Sequence, residues 1–558
     1  MHVGRTSVVT QKRLLPLPLL ALLFVAWIVP GIVARDPWKA DEPYSFGIVE
    51  DMIRTGDLVV PTLTGEPFLE KPPLFFATAA LFGRLLAPPL DPFFATRLAT
   101  VFYMLLALLF LGLAARELYG TDAFGLAVVL LMGCLNLQVT AHKLITDVAL
   151  LAGFSVGLYG LSLAPRRPAG GGFWLGMGTG IGFLAKGVIA PGMLGVIALA
   201  LPLLFAAWRT RRTLVSFGTA LAAALPWLVV WPTLLYQRSP EFLRYWLWDQ
   251  NFGRFLGFNT GAVGFNPASP DSHLFFLLNL VWIAWPAVLP AFWALWQFRR
   301  SWRDHAAYRL PLVSSLVILG VLSASTTNRV LYALPLLLPV TLLAVPGLDA
   351  LPDRAKRISS RAGLIFFGVV ALVLWSGWLV MMAGVPAGLA AKLHDFQPDY
   401  VPSVDVPLFC AAALYTIAWL VLAAKTASSS DGVALTWTLG AVLAWALIMT
   451  LWLPALNAGS SYRADFIDLR KSLPGRYSCI ARSPGLGESE RAMLEYYAGI
   501  RTERTAPSGA TPCELLLEQR PGQAGWLVGP EWEEIWHHNH PGVRPKDIFT
   551  LYRRKAGH

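Results

Sequence analysis

The sequence predicts a polytopic α-helical membrane protein with about thirteen spans, interfacial helices and a small C-terminal α/β domain. Three observations carry that prediction. Only 14% of the 558 residues are charged and 55% are hydrophobic, with a mean hydropathy of +0.54, whereas soluble domains carry roughly 25% charged residues. The apolar residues fall in blocks of about 17 to 25, the length of a helix that crosses a bilayer. Basic residues return in every second connection, the asymmetry that orients a membrane chain. The 22 Trp residues also suit interfacial belts.

In chain order, spans are expected at roughly 14–34, 94–114, 123–140, 145–163, 171–185, 187–206, 214–236, 274–296, 310–326, 330–346, 363–383, 406–424 and 434–455. Arg35-Asp36-Pro37-Trp38 follows the first block where a signal peptide needs small residues, so that helix is expected to be retained. Arg5, Lys12 and Arg13 precede it. Alternate connections then carry Arg166-Arg167, Arg209 to Arg212, Arg299 to Arg303, Arg354 to Arg361, and Lys425. These segments and the N-terminus are expected on the cytoplasmic side, with the C-terminus outside. The net charge of +11 is then topological. Dispersed over short loops, it predicts no nucleic-acid partner.

This reading divides the chain into a transmembrane domain, 1–455, and a soluble domain, 456–558. Large outer loops lie at about 35–93 and 237–273, and such long loops are usually functional. No repeat is evident, and Ala427 to Gly432 reads as a polar turn. In the tail, strands are expected at 477–481, 524–528 and 548–552, and a helix at 488–497. Cys479 and Cys513 are its only cysteines; a disulfide and two free thiols both remain open. Cys134 and Cys410 fall within spans as buried thiols. The tail holds no catalytic cluster and is expected to cap a substrate cavity.

The first outer loop holds the strongest chemical signals. Asp41-Glu42 opens a segment in which Ile48, Val49, Met52 and Ile53 recur at helical spacing, as in an interfacial helix. The two acids equally suit a helix N-terminus with no further role. Glu70-Lys71-Pro72-Pro73 precedes a second apolar segment, 74–88. Glu70 and Lys71 read either as a headgroup site or as a surface ion pair of little worth. Asp147, after Thr146, sits at a span edge, where an ionisable residue is a functional candidate, though a helix cap also explains it. Lys186 beside Gly187 either serves a site or extends to the interface. Tyr44 and Tyr332 suit a substrate contact or the aromatic belt.

Asp41-Glu42, Glu70-Lys71-Pro72-Pro73-Leu74, Thr146-Asp147, Leu184-Ala185-Lys186-Gly187 and Tyr332-Ala333-Leu334-Pro335 together resemble membrane glycosyltransferases of the GT-C class. Within the protein O-mannosyltransferase-like group, the chain is most similar to the bacterial lipid A aminoarabinose transferases. The resemblance covers most of the chain and is strongest in the spans. It implies transfer of 4-amino-4-deoxy-L-arabinose from undecaprenyl phosphate to a lipid A phosphate, at the periplasmic face of a bacterial inner membrane. Masking phosphate charge would confer polymyxin resistance, because cationic peptides are drawn by anionic surface charge.

That reaction brings two anions together and so requires fixed cations. Lys71 is the leading candidate to stabilise a phosphate, with Lys186, Arg254 and Arg329 beside it. Asp41 and Asp147 complete the catalytic set. Asp41 aligns the acceptor, meets the sugar ammonium, or acts as base if the acceptor is a hydroxyl. Glu42, Tyr44, Glu70 and Tyr332 are candidate substrate contacts. Relatives usually show Glu-His where this chain has Gln250-Asn251, and often Ser-Lys where it has Thr327-Asn328-Arg329, so Arg329 is expected to supply that charge with a different geometry. No cofactor is required by this chemistry. Glu70 with His273 would be the zinc pair if a metal were bound. The sequence has no glycine-rich phosphate loop, in keeping with a lipid-linked donor; both substrates are expected to arrive from the bilayer, and the chain is expected to act as a monomer. Two other readings stay open: a GT-C transferase with a hydroxyl acceptor, and a transporter or flippase, which predicts charges near mid-bilayer and paired broken helices.

Overall fold

The computed structural model describes residues 16–256, 272–299, 306–325, 329–396, 400–426, 432–506, 511–521, 528–540 and 547–555. Arg5, Lys12, Arg13, Arg300, Arg303, Thr327, Asn328 and 427–431 of the turn at Ala427–Gly432 lie outside these residues.

Every one of the expected spans is helical. Among the described residues, seven helices are long and apolar enough to cross a membrane, or eight if a pair bent by 64°, Val433–Ile448 with Leu453–Ser460, is one span. The others are shorter or interrupted. The segment expected at 123–140 breaks at Gly133-Cys134 into Ala123–Met132 and Leu135–Thr140. The one expected at 274–296 becomes Phe275–Leu278, Leu280–Ala284 and Val288–Gln297. Pro286, which has no N–H to give a helix, sits at the second break.

Pro168–Lys186 is of spanning length but owes its place to glycine rather than hydropathy. On one face, a Cβ at Gly178 would lie 2.3 Å from the Gly157 nitrogen and one at Gly171 2.5 Å from the Ala164 Cα. On another, Gly172 and Gly176 meet backbone oxygens of Ser216 and Ala220 at 2.1 and 2.3 Å from the same hypothetical atom. The helix is therefore pressed backbone to backbone against Thr146–Leu163 and Arg211–Arg238. Small residues permit this approach where lipid supplies no hydrophobic drive between helices. The antiparallel contact with Thr146–Leu163 brings Lys186, at one helix end, beside Asp147, at the start of the other.

Both helices expected in the first outer loop form, as Asp41–Thr55 and Leu74–Leu86. The first is amphipathic, but protein rather than lipid covers it: Phe46, Ile48, Val49 and Met52 are buried. Its cover is a helix of the tail, Glu488–Ala498, with Gly47 against Ala492 and Phe46 edge-on to Tyr496 at 4.8 Å.

The tail folds as helices on a five-stranded mixed sheet ordered Thr502–Arg504, Ile480–Arg482, Leu515–Pro521, Asp547–Arg554, Trp532–Asn539. The first two pairings are parallel and the last two antiparallel. The expected strand at 477–481 starts only at Ile480, and the one at 548–552 is longer than expected. Of the segment 524–528, only Val528 is described, and it is not in a strand. Cys479 and Cys513 form a disulfide with Cα atoms 4.9 Å apart. Cys134 is buried as expected, but Cys410 is exposed, because it lies on the outward face of Val406–Thr426.

Charge fixes the tail to the first outer loop. Glu66, in the hairpin Thr62–Leu63/Glu66–Pro67, meets Arg482 at 2.5 Å, Arg491 at 2.8 Å and Arg504 at 3.1 Å. Lys39 reaches both Glu490, at 3.2 Å, and Asp547.

Candidate active site

The candidate residues converge from six stretches of chain at one end of the helical bundle. Asp41, at the first turn of Asp41–Thr55, is gripped by the Arg329 guanidinium, with Nη2 to Oδ2 at 2.8 Å and Nη1 to Oδ1 at 3.4 Å. Such a fork fixes orientation as well as charge. Tyr44, one turn on, donates its hydroxyl to Asp41 at 3.3 Å and stacks on Phe68. The Lys71 ammonium donates to the Tyr44 oxygen and lies 4.8 Å from the centre of that ring. Beside it, Glu70 accepts from Arg254 at 3.1 Å. Leu69 packs with Val60, Phe183, Trp231 and Trp246, which holds the Glu70-Lys71 backbone against the bundle. Lys186 pairs with Asp147 and sits 4.2 Å from the Tyr332 ring centre. The Arg329 guanidinium approaches the same ring at 5.9 Å.

Burial pushes the Asp41 carboxyl up, but Lys71 and Arg329, with a smaller contribution from Lys143, outweigh it and hold it below the ordinary value. Asp41 is thus a firmly ionised anion and a poor base. Burial alone would lower Lys71, yet the Tyr44 oxygen, Asp41 and neighbouring carboxylates raise it, so it stays a cation.

Glu42 does not join this group. Its side chain is 1% exposed and points the opposite way, to Arg35 at 2.7 Å, Arg97 at 3.5 Å and the Leu144 N–H at 2.9 Å. Adjacent helical residues point in different directions, so Asp41 and Glu42 cannot both face the site. Glu70 and His273, the expected zinc pair, each have another partner here. Glu70 is taken by Arg254, and His273 is exposed with Nδ1 2.7 Å from the Ser323 carbonyl oxygen. Among the described residues, the one group of three metal-ligand side chains is Cys479, Glu503 and Cys513, whose cysteines are disulfide-bonded.

Three contributors were not among the predicted site residues. Gln250 accepts from Arg254 at 3.1 Å, inside the π-helical turn Tyr245–Gly253, and such turns gather at functional sites. Asn251 accepts from the Val188 N–H at 3.1 Å and closes over Gly187, whose φ of +76° favours glycine and where an added Cβ would lie 2.1 Å from Asn251 Oδ1. The residue that departs from the Glu-His pattern therefore locks the turn behind Lys186. Glu488, from the tail, is pushed up to about 7 by burial and by Glu70, with Arg491, Lys71 and Arg254 opposing. That places it at the edge of the same charge cluster.

The family described as dolichyl-phosphate-mannose-protein mannosyltransferase matches residues 70–236. A protein of Pseudomonas fluorescens named undecaprenyl phosphate-alpha-4-amino-4-deoxy-L-arabinose arabinosyl transferase 2 is 27% identical over 395 residues, 66% of this chain and 63% of that protein. A namesake from Pseudomonas savastanoi pv. phaseolicola is 29% identical over 380 residues, 64% of this chain and 66% of the relative. The chain thus spans just under two thirds of the length of these curated relatives. The crystal structure of ArnT from Cupriavidus metallidurans bound to undecaprenyl phosphate superposes with a TM-score of 0.67 at 16% identity, covering 96% of this chain and 97% of the other. The expected fold and the resemblance read from the motifs are both borne out.

Proposed function

We propose that this chain is a multi-pass glycosyltransferase that moves 4-amino-4-deoxy-L-arabinose from undecaprenyl phosphate to a phosphate of lipid A. The observation that carries the reading is the gathering of Lys71, Lys186, Arg254 and Arg329 around Asp41 at one end of an apolar bundle. A helical bundle apolar enough to lie in a membrane suits two lipid substrates, and fixed cations suit a reaction between two phosphates. The names of the curated relatives support the same sugar and carrier.

In the reaction, an ionised oxygen of the acceptor phosphate bonds to the anomeric carbon. The bond from that carbon to the undecaprenyl phosphate oxygen breaks, and its electron pair leaves with that oxygen. No proton moves, so no strong base is needed. Lys71 stabilises the phosphate on which charge develops, and Arg254 holds Glu70 beside it. Asp41, anchored by Arg329, orients the acceptor or meets the sugar ammonium; Asp147 holds Lys186 in place. Tyr44 and Tyr332 supply ring faces and hydroxyls. The depressed Asp41 favours this reading over a hydroxyl acceptor, which would ask Asp41 to take a proton. The chemistry requires no metal. By the basic loops, the chain lies in a bacterial inner membrane with the N-terminus cytoplasmic and the tail periplasmic, acting as a monomer.

Mass spectrometry of lipid A tests the proposal, in a polymyxin-sensitive strain that makes the lipid-linked sugar but lacks its own transferase. A gain of one aminopentose with the wild-type gene, absent with Lys71→Ala at equal membrane abundance, is expected. Unchanged lipid A with folded protein in the membrane would overturn the acceptor and sugar assignments.

A further inference from the structure

The charges of the site do not cancel pair by pair. Asp41, Glu70 and Asp147 each have one cation in contact: Arg329, Arg254 and Lys186. Lys71 is spent on the Tyr44 phenol, a neutral partner. A fifth cation, Lys143, is half-buried in the turn before Thr146–Leu163, and its charge reaches Asp41. Among the described residues, no carboxylate makes an ion pair with Lys143 or with Lys71. Two ammonium groups therefore act on Asp41 without a carboxylate of their own.

The backbone beneath Lys143 is held on every side. Its N–H donates to the Thr140 carbonyl at 3.1 Å, and its own carbonyl accepts from the Thr100 hydroxyl at 2.8 Å. Arg35 donates to the His142 carbonyl at 2.7 Å, and the Leu144 N–H donates to Glu42 at 2.9 Å. Arg35 and Glu42 are themselves an ion pair with both side chains 1% exposed. Burying a charged pair is costly, and it is retained where it fixes one arrangement. Here it fixes the turn that presents Lys143. Glu42 follows Asp41 directly, so one helix start sets both the carboxylate and, through the Glu42 bond to the Leu144 N–H, the backbone that carries Lys143.

We propose that Lys143 binds the acceptor phosphate while Lys71 binds the phosphate of the donor, with Glu42 and Arg35 as positioning residues for Lys143. This rests on the phosphate-to-phosphate transfer above. In that transfer the acceptor phosphate gives up one negative charge as its oxygen bonds to the anomeric carbon, and the departing phosphate gains one. Total charge is conserved but moves from one phosphate to the other, so a cation is needed at each. A hydroxyl acceptor would need only one.

The test is initial-rate kinetics of the full-length protein in proteoliposomes, varying bisphosphorylated lipid A and the lipid-linked aminopentose in turn. Losing a charge-assisted hydrogen bond predicts that Lys143→Ala raises the KM for lipid A about ten-fold or more, leaves the KM for the donor within about two-fold, and is partly rescued by Lys143→Arg. Glu42→Gln is expected to shift the same KM alone and to add nothing in the Lys143→Ala background. Equal shifts in both KM values, a fall in kcat with both unchanged, or additive effects of the two substitutions would overturn the proposal. If Lys143→Ala fails to fold, Lys143→Gln against Lys143→Arg decides by the same KM comparison. Wild-type protein that transfers nothing to lipid A would instead overturn the parent reading, and the proposal with it.

Discussion

Glu488 shows how a single side chain registers the docking of two parts of the chain. Its carboxyl, pushed up to about 7, holds its proton more tightly when folded than in an unfolded chain near 4.5. Folding is then favoured at low pH, and the penalty grows as pH rises from about 4.5 and levels off above about 7. Glu488→Gln is therefore expected to raise the thermal midpoint in detergent at about pH 8.5 and to leave it nearly unchanged at about pH 5; a shift of the same size at both would refute this. No local pattern announces Glu488, since its environment exists only after the tail docks on Asp41–Thr55. Asp41, Lys71, Asp147, Lys186 and Tyr332 were legible because motif and span edge coincide. Glu42 was misjudged because adjacency in sequence says nothing about which of two helical neighbours faces inward. Lys143 passed unnoticed for a related reason: its turn owes its place to Thr100, Arg35 and Glu42, which are distant in the chain.

At the scale of elements, hydropathy located the helices of the expected spans but not their continuity. Breaks at Gly133, Asn279 and Pro286 depend on what packs beside them as much as on the residues themselves. The glycines of Pro168–Lys186 give a sharper prediction. Gly178→Val would drive its side chain into the Gly157 nitrogen and the Gly153 carbonyl, where backbone leaves no rotamer as an escape. Overpacking of this kind costs about 1–3 kcal/mol or more. The variant is expected to lower the thermal midpoint and, by parting Lys186 from Asp147, to lose transfer beyond the loss of folded protein. Gly195→Ala, in Ile189–Leu204, has nothing within 4 Å and should match the wild type. Equal behaviour of the two variants would refute the close contact.

For the whole molecule, the decisive joint is the one between the helical bundle and the tail. Among the described residues, Glu66 is the one carboxylate paired with Arg482, Arg491 and Arg504, and the first two have side chains only 7% and 10% exposed. Glu66→Ala would leave buried arginines without their anion, a change worth about 3–5 kcal/mol where burial is complete and less here. Limited proteolysis should then cut between the bundle and the tail sooner than in the wild type, with the proposed lipid A modification reduced; an unchanged digestion pattern would argue that the apolar contact of Gly47 with Ala492 suffices. The hairpin bearing Glu66 was invisible as a joint in the sequence, where more than four hundred positions separate it from its partners. The arrangement also sets a rule for grafting. A tail from another chain keeps this joint only if it supplies cations where Arg482, Arg491 and Arg504 meet Glu66 and anions where Glu490 and Asp547 meet Lys39, so the unit of exchange is the tail together with the hairpin and Lys39. A seam drawn at the end of the last membrane helix would divide one functional body into two mismatched halves.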